Sequence, residues 1–91
     1  MLEIGTSVAA PYAGWVLASL GASVTKVERP GRGDDIRFWG PPFWRETSTM
    51  FHTFNRGKRS LEVDLKNEDE VQQLRAWITR EADVVLQNLR P

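Results

Sequence analysis

Short apolar segments alternate along this chain with segments of helical periodicity, and this alternation limits the possible folds more than any other feature. A strand, a helix and a parallel strand form a right-handed β-α-β unit. The chain is therefore predicted to form an α/β domain with a Rossmann-like parallel sheet and flanking helices. The predicted strands cover residues 1–4, 22–28, 60–65 and 83–87, and the predicted helices cover residues 9–20, 47–55 and 68–80.

Local signals mark the ends of these elements. Pro11 stands near the first turn of the first helix, where its missing N–H costs nothing, and Gly21 is placed to stop that helix with a positive φ. Asn67, which three acidic residues follow, is a capping pattern for the last helix. The buried stripe of that helix is predicted to contain Val71, Leu74, Trp77 and Ile78. The segment 30–47 is rich in proline and glycine without a clear period, which predicts a long ordered loop.

Length and composition exclude several classes of protein. A chain of 91 residues suits one small domain and leaves no room for a second. It contains no cysteine, so disulfides and thiolate metal sites are excluded, in keeping with a reducing cytoplasm. His52 is the only histidine, so we expect a packed helix residue rather than a metal ligand. A secretion leader and a membrane-spanning run are not apparent, so we expect a cytoplasmic protein without membrane attachment.

The charge distribution indicates a small anionic ligand. The net charge is zero, but residues 26–59 carry eight basic and four acidic side chains. Arginine predominates over lysine, and its planar guanidinium suits bidentate contacts with phosphate. Nucleic-acid binding is not expected, because it requires positive charge over a broad surface rather than at one local site.

Three blocks of sequence carry a resemblance to a known family. They read VTKVERPGRGDDIR at 24–37, NRGKRSLEVDLK at 55–66 and ADVVLQNLRP at 82–91. Their order and spacing resemble the N-terminal part of the class III coenzyme A transferases, the CaiB/BaiF family. The resemblance implies that residues 1–91 form a single coenzyme A-binding segment. We expect this segment to be truncated from a longer chain with a larger fold.

The resemblance also implies which residues contact coenzyme A. In this family the run before Pro11 lies against the cofactor, and Arg29 would hold its nucleotide end. Of the other matching positions, Val63 lies on the third predicted strand and Lys66 at its end. Asn88 and Leu89 follow the fourth, at the sheet edge where ligands of open α/β folds bind. The implied contact residues are Val8, Ala9, Ala10, Arg29, Val63, Lys66, Asn88 and Leu89.

No catalytic residue is expected within the chain. Transfer of coenzyme A requires a carboxylate nucleophile that opens an acyl-coenzyme A thioester. Asp34 and Asp35 lie in an arginine-rich loop that we expect to keep them ionised and hydrated, which disfavours attack. We expect them to shape the loop through hydrogen bonds to backbone N–H groups. The family's nucleophilic aspartate lies beyond the third block, so this segment alone is expected to be inactive.

Other functions stay open at this point. A racemase acting on α-methylacyl-coenzyme A has a similar fold, but such relatives usually have a shorter passage between the first and second blocks. A non-catalytic module that binds coenzyme A or a nucleotide is the third reading. A nicotinamide or flavin site is disfavoured, because the first turn lacks the G-x-G-x-x-G pattern.

The family also implies partners for the whole protein. These are an acyl-coenzyme A, a carboxylic acid and a second subunit in an interlocked homodimer. Phe38, Trp39, Phe43 and Trp44 are too apolar for a loop in water, so we expect them to pack against another part of the chain or against that subunit.

Overall fold

The computed structural model describes residues 1–90, which form one parallel sheet with helices on both faces. The strands are β1 (Leu2–Ile4), β2 (Thr25–Glu28), β3 (Phe43–Trp44), β4 (Thr47–Ser48), β5 (Arg59–Glu62) and β6 (Val85–Gln87). The helices are α1 (Ala9–Ser19), α2 (Thr49–Asn55) and α3 (Glu68–Glu81), and a 3₁₀ helix covers Asp35–Phe38. The predicted α/β architecture is thereby confirmed, and it is consistent with the Rossmann-like expectation.

The main sheet has the strand order β5-β2-β1-β6, and every pairing in it is parallel. Ile4 at the end of β1 lies opposite Val27 and Gln87, and Glu28 at the end of β2 lies opposite Glu62. The carboxyl ends of the four strands therefore meet at one edge of the sheet. Ligands of open α/β sheets bind at this edge.

The predicted helix ends are largely confirmed. Gly21 follows α1 with φ of +104°, a left-handed conformation that glycine adopts without a Cβ penalty. The side-chain oxygen of Asn67 accepts a hydrogen bond of 3.1 Å from the Glu70 amide, and α3 has acidic residues throughout its first turn. In α2 the cap is Ser48, whose hydroxyl accepts a hydrogen bond from the Met50 amide.

The apolar core lies between the sheet and α3. It consists of Leu2, Val27, Val63 and Leu74, with Ile4, Leu61, Trp77, Ile78 and Ala82 packed around them. Full burial of an aliphatic side chain contributes about 1.5–3 kcal/mol, so this small cluster holds α3 on the sheet. The predicted stripe of α3 is confirmed at Leu74, Trp77 and Ile78.

Several expectations for the local structure need correction. The predicted strands 22–28 and 83–87 begin later, at Thr25 and Val85, and the predicted helix 47–55 begins at Thr49 because residues 47–48 form β4. The third main-sheet strand covers Arg59–Glu62 rather than 60–65, because its partner β2 ends at Glu28 and offers no further residues to pair. Segment 30–47 is ordered, but it is not a plain loop. It contains the 3₁₀ helix and β3, which pairs antiparallel with β4. Within residues 1–90, the helices are too short or too polar for a transmembrane segment.

Candidate functional site

A cavity of about 240 Å³ opens at the carboxyl edge of the sheet. Its walls come from the ends of β1 and β2 and from the segments that follow β1, β2, β5 and β6. The lining residues include Ile4, Gly5, Thr6, Val27, Arg29, Gly33, Val63, Lys66 and Leu89. This is the largely apolar concavity, with a few polar groups at its rim, that is typical of a small-molecule site.

The structure brings together four of the residues implied by the resemblance. Arg29, Val63, Lys66 and Leu89 all line this cavity, although they follow three different strands in the sequence. Val63 is buried in its wall, whereas the other side chains are exposed at the rim. Two cationic groups therefore stand next to apolar surface at a single opening.

The implied contact residues Val8, Ala9 and Ala10 lie outside the lining of the cavity. Val8 and Ala9 are exposed. Ala10 is buried and packs closely on the turn before the helix, since a Cβ added at Gly5 would lie only 2.7 Å from the Cβ of Ala10. Val8 occupies the N-cap position of α1, and no side chain caps this helix. The amide groups of the first turn are consequently available as donors at the end of the helix that favours anions.

Asn88 contacts the cavity indirectly. Its side-chain oxygen accepts a hydrogen bond from the Thr6 amide, and its side-chain nitrogen donates one to the Thr6 carbonyl, both at 3.2 Å. The amide group of Asn88 therefore fixes the turn between β1 and α1, and Thr6 in that turn lines the cavity.

Arg29 is anchored but still accessible. Its Nε donates to the Gly33 carbonyl at 2.9 Å, and its Nη2 pairs with Asp35. The side chain is 52% exposed, so its remaining N–H groups face solvent at the rim of the cavity. An arginine offers five donors, so these contacts leave capacity for a phosphate or a carboxylate.

Glu28 organises the loop after β2 from a buried position. Arg37 donates two hydrogen bonds of 2.8 Å to its carboxylate, and the Asp34 amide and the Ser60 hydroxyl donate one each. Burial raises the pKa of Glu28, but the hydrogen bonds from Arg37, Asp34 and Ser60 outweigh that effect and lower the pKa to about 2. Glu28 is therefore a fixed anion that holds the loop in place.

The structure also contains a buried charge cluster that sequence reasoning missed. It consists of Glu3, Lys26, Asp34 and Lys58, whose charged groups form three ion pairs.

The expectation that Asp34 is hydrated is wrong, because this residue is 0% exposed and pairs with Lys26 at 2.8 Å. The expectation that it bonds backbone amides is confirmed, since it accepts hydrogen bonds from Ser7 and Ile36. Burial lowers the pKa of Lys58, and the hydrogen bond and charge of Glu3 oppose this shift.

The remaining predicted residues lie away from the cavity. His52 packs edge-on against the Trp44 ring, with its Nε2 3.1 Å from the Trp44 carbonyl oxygen. Phe38, Trp39, Phe43 and Trp44 are about half exposed. Across residues 1–90, histidine and acidic side chains do not gather in a group of three that would hold a metal ion.

Comparisons with known proteins identify relatives of the chain. Residues 1–91 match the family described as CoA-transferase family III. The chain is 42% identical to the succinate–glutarate CoA-transferase of Agrobacterium fabrum, over 99% of this chain and 24% of that protein. It is 41% identical to the succinyl-CoA:glutarate CoA-transferase of Homo sapiens, over 100% of this chain and 20% of that protein. It is 38% identical to the succinyl-CoA–D-citramalate CoA-transferase of Chloroflexus aurantiacus, over 100% of this chain and 22% of that protein.

The chain therefore spans about a fifth to a quarter of the length of these curated relatives. The three sequence blocks lie within the matched range, and the fold agrees with the family resemblance. The match over residues 1–91 and the identities of about 40% confirm the resemblance, and the chain belongs to CoA-transferase family III.

Proposed function

We propose that this chain is the coenzyme A-binding part of an enzyme that transfers coenzyme A from an acyl-coenzyme A to a carboxylic acid. The observation that carries the proposal is the single cavity lined by Arg29, Val63, Lys66 and Leu89. Relatives that are named CoA-transferases support the same reaction class.

The chemistry of the cavity suits the nucleotide end of coenzyme A. Arg29 and Lys66 supply positive charge for phosphate groups, and Val63 and Leu89 supply apolar surface. The uncapped first turn of α1 offers further N–H donors, so Val8, Ala9 and Ala10 would contribute through their backbone. Asn88 would act by holding Thr6 in the cavity wall. At about 240 Å³ the cavity accommodates only part of the cofactor, with the remainder extending from its open side.

We propose dicarboxylic acids as the carboxylate substrates. The relatives are named for succinate, glutarate, D-citramalate, mesaconate and oxalate, each of which is a dicarboxylic acid. Succinyl-coenzyme A recurs in those names as a reactant. A dicarboxylate acceptor with succinyl-coenzyme A as donor is therefore the substrate pair to assay first.

The nucleophile of the reaction is proposed to lie outside these 91 residues. A nucleophilic carboxylate must reach the thioester carbon, and coenzyme A is then carried as an enzyme-bound thioester. Asp34 is buried in an ion pair, and Asp35 is paired with Arg29, so both carboxylates are already engaged. The chain alone is expected to bind coenzyme A without transferring it.

The assembled protein is proposed to be a cytoplasmic homodimer. The half-exposed aromatic residues Phe38, Trp39, Phe43 and Trp44 support a partner surface, because large apolar side chains on a loop gain by being covered. Sedimentation of the assembled enzyme would give twice the protomer mass if this is correct, and a monomer would contradict it.

A coenzyme A titration tests the binding function directly. Arg29→Ala is expected to weaken binding by at least about 1 kcal/mol, or roughly fivefold in Kd, because a charged hydrogen bond to phosphate is lost. Isothermal titration calorimetry measures this change.

Asp35→Asn is the matched control, because it removes the ion-pair partner of Arg29 and keeps the guanidinium. If Arg29 contacts the ligand, Asp35→Asn keeps or improves the affinity. Equal weakening by both variants would show that Arg29 only anchors the loop.

Failure of the unsubstituted protein to bind coenzyme A would contradict the proposed function. Deuterium exchange into an acyl-coenzyme A without an acid acceptor would instead indicate a racemase.

A further inference from the structure

The buried charge cluster of Glu3, Lys26, Asp34 and Lys58 lies beside the cavity, and the proposed function does not use it. Its side chains are at most 2% exposed, and they form alternating positive and negative pairs. Lys26 is 3.0 Å from Glu3 and 2.8 Å from Asp34, and Lys58 pairs with the other oxygen of Glu3. Two cations therefore neutralise two anions in the interior.

The cluster forms several hydrogen bonds to the backbone near the cavity. Lys26 Nζ donates to the Gly5 carbonyl at 3.4 Å, and Asp34 Oδ1 accepts from the Ser7 amide at 2.9 Å. Both partners belong to the turn between β1 and α1, where Gly5 and Thr6 line the cavity. Ser7 has φ of +67°, a conformation that costs a non-glycine residue free energy and persists only where its surroundings fix it.

The same residues fix the elements on either side of this turn. Lys58 Nζ donates to the Pro11 carbonyl in α1 at 2.8 Å and to the side chain of Asn55 in α2 at 3.0 Å. Gly14 of α1 packs directly over Glu3, and a Cβ at this position would collide with the carboxylate. Asp34 accepts from the Ile36 amide within its own loop as well as from the Ser7 amide, so its carboxylate joins the loop after β2 to the turn after β1.

We propose that the buried charge cluster positions the turn between β1 and α1 for ligand binding, with Asp34 as the positioning residue that fixes the Ser7 amide. This inference rests on the proposed function, because coenzyme A is the ligand used as the probe. Asp34 acts on the ligand through the backbone of Gly5, Thr6 and Ser7. Asp34 is itself one of the residues lining the cavity, and its carboxylate anchors that backbone through the Ser7 amide.

The test compares two double variants with the same buried charge. Lys26→Met with Asp34→Asn and Lys26→Met with Asp34→Ala each remove one cation and one anion, leaving Glu3 and Lys58 paired. They differ in whether the side chain at position 34 can accept a hydrogen bond from the Ser7 amide. The asparagine double variant is expected to bind coenzyme A within about threefold of the unsubstituted protein, and the alanine double variant about tenfold more weakly.

Two further measurements separate positioning from stability. Val24→Ala truncates a buried side chain just before β2, at the end of that strand away from the cavity, and it is expected to lower the melting temperature while changing the Kd less than about twofold. Equal coenzyme A affinities of the two double variants would overturn the inference. Failure of the unsubstituted protein to bind coenzyme A would instead overturn the proposed function.

If the alanine double variant does not fold, amide hydrogen exchange in the unsubstituted protein tests the inference instead. In the unsubstituted protein the Ser7 and Ile36 amides are expected to exchange as slowly as those of β1, because Asp34 accepts from both in the interior. Exchange of the Ser7 amide at the rate of an unstructured peptide would overturn the inference, whatever the affinity for coenzyme A.

Discussion

The two faces of the main sheet are both buried, but they are built from opposite chemistry. Leu2 and Val27 point toward α3 and pack in the apolar core, whereas Glu3 and Lys26 alternate with them and point toward α1. One face is therefore packed with aliphatic groups, and the other is packed with charged groups that are paired with one another. Burial alone therefore does not assign a role to a residue, because an apolar face tolerates small shifts and a charged face requires each ion-pair partner in place.

The faces also differ in what they contact. The apolar face holds α3, which packs through Leu74, Trp77 and Ile78. The charged face holds the turn after β1, the loop after β2 and the start of α1, which border the cavity. The apolar face thus supplies much of the stability of the fold, and the charged face sets the shape of the site.

The largest expected effect is on the charged face. Glu3→Ala leaves Lys26 and Lys58 in the interior without the carboxylate that pairs with both. Removing one partner of a buried ion pair costs about 3–5 kcal/mol in the free energy of unfolding. Urea unfolding followed by circular dichroism measures this loss. A loss below about 1 kcal/mol would mean that water reaches the two ammonium groups and that this face is not closed.

A smaller loss is expected on the apolar face. Leu74→Ala removes a side chain that is 6% exposed and leaves a cavity under α3, with an expected cost of about 3 kcal/mol in the free energy of unfolding. Because no charge is uncovered, the loss is expected to be the same at pH 5 and pH 8. The same unfolding assay at both pH values checks it. A loss that changes with pH would show that the two faces are coupled.

The smallest of these effects is the acid response of the charged face. The pKa of Glu28 is about 2 in the folded protein, against an ordinary value of 4.5, so its stabilising contribution is complete above pH 4.5 and is lost as the pH falls toward 2. Acidification to pH 3 is expected to remove about 2 kcal/mol by this route. The difference between the unsubstituted protein and Glu28→Gln should shrink by that amount between pH 6 and pH 3. A constant difference would mean that Glu28 titrates normally.

Much of the fold was predictable because it depends on neighbouring residues. Gly21 and Asn67 act within a few positions of themselves, and the stripe of α3 repeats with the helical period. Strand ends were less predictable. Apolar and charged residues alternate over 60–65 as they do in a strand. The strand nevertheless ends at Glu62, because its partner Glu28 is the last residue of β2. The pairing of β3, inside segment 30–47, with β4 at the end of that segment is not predicted, since the surrounding prolines and glycines indicate a loop and β4 overlaps a predicted helix.

The candidate site was likewise predictable only in part. Arg29, Val63, Lys66 and Leu89 could be named from the family resemblance, and the topology of a parallel sheet predicts that residues following its strands share one edge. The position of Asn88 against Thr6 could not be read, because the two residues lie 82 positions apart. The burial of Asp34 is not predictable for a similar reason, since it depends on Lys26, which lies on the neighbouring strand β2 and pairs with Asp34 only in the folded chain.

The order of the main-sheet strands and of the three helices, most of the helix ends and the family could be predicted from the sequence, because each depends on local patterns or on a matching string of residues. The meeting of four charged residues in the interior depends instead on the packing of distant elements; these residues are Glu3, Lys26, Asp34 and Lys58. A charged residue in an alternating strand reads as solvent-facing. Only the approach of α1 and of the loop after β2 removes the water and makes each charge depend on its partner.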